Sequence, residues 1–136
     1  MTAADTTTFS VDQFIAAPAE KVWRALTEPD LIARWWAPAD IAPVLGHRFS
    51  FDMFEWGAIA CEVTVVEPLH RFVYTFNGTW TIDWRLETEG RGTRLFLEHS
   101  GFDPDNPRDR FALENMGAGW RDTVLPRLAE FAPTLD

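Results

Sequence analysis

Between residues 46 and 99 apolar and polar side chains alternate with a period of two, segment after segment, and turn residues separate the segments. Phe49, Phe51 and Met53 point one way, while Arg48, Ser50 and Asp52 point the other. Ile59, Cys61, Val63 and Val65 share a side opposite Glu62 and Thr64. Phe72, Tyr74 and Phe76 define the next segment. Trp80, Ile82, Trp84 and Leu86 then alternate with Thr81, Asp83, Arg85 and Glu87. Leu95, Leu97 and His99 stand opposite Arg94 and Glu98. Strict alternation in consecutive segments predicts an antiparallel sheet with one buried face. Trp56-Gly57, Glu67-Pro68 and Gly90 to Gly92 supply breaks. Asn77-Gly78 is the strongest turn signal, because a type I′ turn needs positive φ at both central positions.

The flanks complete the plan. Phe9 to Ala16 reads as a first strand, with Phe9, Val11 and Ile15 on one face, Gln13 interrupting it and Phe14 opposite. Pro18 opens a short helix with Val22, Trp23 and Leu26 on its apolar side. Pro29 opens a second, carrying Leu31, Ile32, Trp35 and Trp36. Helices this short need a larger surface to pack on. Gly101 to Pro107 reads as a loop, and Asn106-Pro107 as a capped helix start. That helix is expected to run to about Ala132, with Leu113, Met116, Trp120, Val124, Leu128 and Phe131 in one stripe. Gly117 allows close approach to the sheet, and Pro126 is expected to kink the helix. The prediction is a single α+β domain over residues 9–133: a six-stranded antiparallel sheet, two short helices after its first strand, and a long C-terminal helix. Residues 1–8, rich in Thr and Ala, are expected to be disordered.

Several local motifs resemble the Bet v1/START-like (SRPBCC) superfamily, in its branch similar to the C-terminal domain of the activator of Hsp90 ATPase. They are Ala17-Pro18-Ala19-Glu20-Lys21-Val22-Trp23, Leu26-Thr27-Glu28-Pro29 leading into Trp35-Trp36, Gly46-His47-Arg48-Phe49, and Val65-Val66-Glu67-Pro68. Gly92-Thr93-Arg94-Leu95-Phe96-Leu97 with His99 and Gly101-Phe102 follows, and then Gly119-Trp120. Together they span residues 9 to 131. The resemblance implies a helix-grip fold, in which a curved sheet grips the last helix and often encloses an apolar cavity. It includes ligand binders, aromatase/cyclase enzymes and an Hsp90 co-chaperone domain, so it constrains fold more than function.

Aromatic residues make up 14% of the chain, with seven Trp and eleven Phe against one Tyr. The expected site is therefore the inward ring set. It comprises Phe49, Phe51, Met53 and Cys61, then Phe72, Tyr74 and Phe76, then Trp80, Ile82, Trp84 and His99 on the sheet. Met116, Trp120 and Val124 face it from the helix, and Trp36 belongs to the set: of Trp35-Trp36 one ring is expected to seal the mouth and the other to pack on the sheet, the other reading being an exposed partner-binding patch. The alternative is a filled core of crystal-like density. His99 either orients a ligand's polar group or is a satisfied core residue. Tyr74, Cys61 and Arg48 are lesser polar candidates, and His47 and His70 are expected at strand ends facing solvent. A Glu62–Asp83 carboxylate pair falls on the outer face.

The first functional expectation is binding of a small apolar or aromatic molecule, lipid or metabolite. The alternatives are a cyclase or dehydratase using His99 and Tyr74, and a chaperone partner or homodimerising module. No cofactor or metal site is expected, since three histidines and one cysteine lack ligand spacing. A net charge of −9 disfavours nucleic acid. The absence of a signal-like start or a long apolar run predicts a cytoplasmic protein with no membrane insertion.

Overall fold

The structure, a computed structural model, describes residues 7–53 and 57–135. Strand β1 (Thr7–Ile15) begins two residues earlier than expected, because Thr7 already pairs with Phe102 of β6 (Gly92–Phe102). The remainder of the N-terminal segment lies outside the described residues, as does the turn residue Trp56. Helices α1 (Ala19–Thr27) and α2 (Pro29–Trp35) follow, and Pro29 fills the first turn of the second. Both bury their apolar sides: Val22, Trp23 and Leu26 from α1, Ile32 and Trp35 from α2.

Strands β2 (Arg48–Asp52), β3 (Ala58–Glu67), β4 (Arg71–Phe76) and β5 (Trp80–Glu89) complete a six-stranded antiparallel sheet in the order β1-β6-β5-β4-β3-β2. Asn77 (φ 62°) and Gly78 (φ 72°) both take the left-handed conformation that the hairpin requires. The outer side of β2 is covered by the preceding loop. Ala39 bridges Phe51, the Asp52 N–H donates to the Pro38 carbonyl, and the Ser50 N–H donates to Asp40 Oδ1.

Two irregularities correct the period-two reading. Val63 pairs with Tyr74 but Val65 pairs with Val73, so a bulge at Thr64 shifts the register. Val66, opposite Phe72, therefore packs on the core in place of the expected Val65. At the end of β6, Gly101 (φ 96°) bends the strand and carries it on to Phe102, which is buried. The segment beginning at Gly101 is thus strand for two residues before the loop starts.

Asn106 caps helix α3 (Pro107–Gly119) by accepting the Arg108 N–H at 2.9 Å. A π-helical turn, Trp120–Val124, separates it from α4 (Leu125–Phe131). The Leu125 N–H bonds the Trp120 carbonyl, one residue wider than an α-turn. Pro126 has no N–H to give the preceding turn, and the helix widens there rather than breaking. The extra residue rotates the stripe. Leu125 (1% exposed), not Val124, is the fully buried side chain between Trp120 and Leu128, and Val124 is half-buried. Leu113, Met116 and Phe131 are likewise half-buried.

Candidate functional site

The inner face of the sheet is built from rings because every second residue of β2, β4 and β5 is aromatic or branched. Phe51, Phe72, Tyr74, Ile82 and Trp84 are all fully buried. Phe49, Cys61, Phe76 and Trp120 are buried within 5% exposure, and Met53, Trp80, Met116 and Val124 border them half-exposed. All fifteen expected residues thus belong to one contiguous apolar body with Trp36 and His99 within it or in ring contact with it. Arg48 does not: it lies on the outer face with Glu62 at 3.3 Å.

The rings touch across the grip. Trp36 lies 4.2 Å from Phe51, 4.6 Å from Trp120 and 6.0 Å from Phe76, centroid to centroid. Trp35 is buried beneath it, edge-on to Trp84 at 6.2 Å, with its indole N–H bonded to the Ala25 carbonyl. One ring of the pair thus packs on the sheet, and the other is half-buried between sheet and helix. Trp36 ends α2 with φ −129° and ψ −86°, outside the helical region. Concavities of about 340 and 450 Å³ lie elsewhere, on the outer face of β1, β5 and β6 and beside β2.

Two indole N–H groups hold the centre of the ring body. Trp84 donates to the Tyr74 hydroxyl at 3.0 Å, and Trp120 donates to His99 Nδ1 at 3.1 Å. An indole nitrogen only donates, so Nδ1 of His99 carries a lone pair and its proton sits on Nε2. Burial pushes the His99 pKa down to about 3 and holds the ring neutral. Burial likewise pushes the Tyr74 hydroxyl well above its ordinary value and the Cys61 thiol up to about 12. His99 Nε2 and Trp80 Nε1 are both buried and find no protein partner among the described residues. Their rings are 6.0 Å apart, and Phe102 closes on both, at 4.8 Å from His99 and 5.0 Å from Trp80. Phe102 is absent from the sequence-predicted site because Gly101-Phe102 reads as loop, although a glycine before an aromatic residue at a strand end is also the mark of a bulge.

Other polar candidates fall outside. His47 is half-buried just before β2, with Nε2 2.7 Å from the Asp40 carbonyl oxygen in a contact at the surface. His70 is exposed. Glu62 and Asp83 occupy the outer face as expected and pair with arginines, Asp83 with Arg71 at 2.9 Å. Among the described residues no helix is long and apolar enough to cross a membrane.

The family model for "Activator of Hsp90 ATPase homolog 1-like protein" matches residues 16–132. The chain belongs to this family. It is thereby a member of the Bet v1/START-like superfamily, and its sheet-and-helix arrangement is the helix grip. Among solved structures of like fold is protein MLL2253 of Mesorhizobium loti, at 34% identity and a TM-score of 0.85, covering 96% of this chain and 99% of that one. Protein BH1534 of Bacillus halodurans is 27% identical with a TM-score of 0.82, covering 93% of this chain and 96% of that one. The Aha1 dimer of Colwellia psychrerythraea shares the fold at 21% identity and a TM-score of 0.78, covering 93% and 96%. No curated protein matches the chain.

Proposed function

We propose that this family member binds a small apolar or aromatic molecule between the sheet and the C-terminal helix, admitted where Trp36 stands. The observation that carries the reading is the position of Trp36. It is a half-buried ring that contacts both Phe51 on the sheet and Trp120 on the helix. Its backbone leaves the helical region at the end of a seven-residue helix. Among the described residues no hydrogen bond of its indole anchors it; ring contacts do. Such contacts are worth about 0.5–1.5 kcal/mol each beyond area burial, so an entering ring of similar chemistry can replace them. The packed rings make this a closed form, and ligand binding selects an open one.

The test is thermal unfolding against a panel of fatty acids, bicyclic aromatics and polycyclic ketones. A ligand that binds only the folded state raises the melting temperature. A panel that leaves it unchanged at every concentration sinks the reading.

An acid–base enzyme in the same place is less well supported. His99 has Nδ1 occupied and a pKa of about 3, which makes it a poor base at neutral pH. The hydroxyl of Tyr74 is held by Trp84. A docking role would require a contiguous apolar patch. The large exposed apolar residues that favour it most are the neighbours Val44 and Leu45.

A further inference from the structure

We infer that the molecule bound here carries a neutral carbonyl oxygen on its apolar or aromatic frame, and that the Nε2–H of His99 and the Nε1–H of Trp80 receive it. The inference rests on the binding reading above and specifies its ligand.

Both nitrogens are buried and unpartnered. An indole offers a donor and nothing else. His99 offers only a donor too, because Trp120 occupies its Nδ1. Neither ring changes charge near neutral pH, since burial keeps His99 deprotonated far below it. Among the described residues the buried side-chain polar atoms left without a partner are thus two N–H donors, walled by Phe76, Phe102 and Trp120.

Buried donors left unpaired are costly, and native interiors rarely keep two together without a partner that completes them. An acceptor oxygen satisfies both. A ligand ammonium, which has only donors, would meet N–H against N–H and is rejected. A carboxylate would surrender its hydration to two neutral donors with no cation beside them, while the described ion pairs lie at the surface. A ketone, aldehyde or ester carbonyl loses far less on leaving water and presents two lone pairs. Such an oxygen would reach the pair once Trp36 moves aside, since Trp36 covers Phe76 and Trp120, which border His99.

The test uses two probes of nearly the same shape, 2-acetylnaphthalene and 2-isopropenylnaphthalene, the second with a methylene in place of the carbonyl oxygen. Isotope-labelled full-length protein is titrated with each and followed by the side-chain N–H resonances of His99 and Trp80. The ketone is expected to bind about tenfold more tightly. It should move both N–H protons downfield, whereas the hydrocarbon should not. Trp80→Phe, which keeps a ring and removes one donor, should cut the preference to about threefold. Equal affinity with both resonances unmoved overturns the inference and leaves the binding reading standing; an ordered water then satisfies the two donors. Binding of neither probe, when other panel compounds bind, also overturns it. If no panel compound binds, the binding reading falls as well. The resonance measurement on the unaltered protein decides the matter even if Trp80→Phe does not fold.

Discussion

Trp120 donates its indole N–H to Nδ1 of His99 across 3.1 Å and so ties the π turn of the C-terminal helix to the last strand. The bond selects the Nε2–H tautomer. Trp120→Phe keeps an aromatic ring but leaves Nδ1 without its donor. A loss of about 1–3 kcal/mol is expected, the cost of a buried polar atom left unpaired. Nitrogen chemical shifts should report one imidazole tautomer in the native protein and a mixture in the variant. A single unchanged tautomer in Trp120→Phe would contradict this assignment.

The same histidine sets a pH dependence. In the folded chain its pKa is lowered from 6.5 to about 3 by burial. Between those values the unfolded chain binds a proton that the native state refuses, so stability falls as pH drops through the window and is level above it. The full effect at the acid end is on the order of 5 kcal/mol. Urea unfolding from about pH 7.5 down to about pH 5 should show a slope that His99→Phe reduces, on top of its own fixed loss. Equal slopes would mean that His99 titrates near its ordinary value.

The π turn makes neighbouring residues unequal. Leu125 is 1% exposed while Val124 is half-buried. Leu125→Ala is expected to cost about 2–5 kcal/mol, and Val124→Ala under about 1 kcal/mol. Chemical denaturation checks both. A reversal of the order would place the turn in ordinary α register.

Two glycines of the same helix should behave differently. A Cβ on Gly119 meets nothing within 4 Å, and its φ of −60° is helical. Gly119→Ala should stabilise the protein by up to about 1 kcal/mol through helix propensity. A Cβ on Gly117 would lie 2.8 Å from the Phe9 ring, so Gly117→Ala forfeits that gain by displacing Phe9. Melting temperatures of the pair should move apart; a matching rise in both would show that Phe9 yields freely.

Trp36→Ala removes the ring that bridges Phe51 and Trp120. Association of 2-acetylnaphthalene, followed by stopped-flow quenching of Trp fluorescence, should become several-fold faster. An unchanged rate would put the entrance elsewhere.

Most of the architecture could be read from residue order because local and long-range preferences agree. Asn77-Gly78 demands a hairpin, Asn106-Pro107 starts a helix, and the alternating rings of β4 and β5 leave one face to bury. The misreadings share a cause. Thr64 and Gly101 each insert a residue into a strand, and Pro126 forces one into a helix. Period-based reading carries the old phase past such a point, which is how Val65 and Val124 stood in for Val66 and Leu125. The site was legible as a set of rings but not as a packed one. Whether bulky side chains leave room depends on tilts of a few degrees between helix and sheet, and alternation does not encode those. Nor does it reveal that two of the N–H groups among those rings lack a partner.

The bridge from Ala39 to Phe51 bears on how copies of this chain meet. A bare outermost strand is a template on which another molecule can lengthen the sheet. Here the outward-directed amides of Ser50 and Asp52 are already spent on Asp40 and Pro38. That rim is closed to intermolecular β-addition, so any self-association on this side has to use side chains, and the protein is guarded there against fibrillar growth.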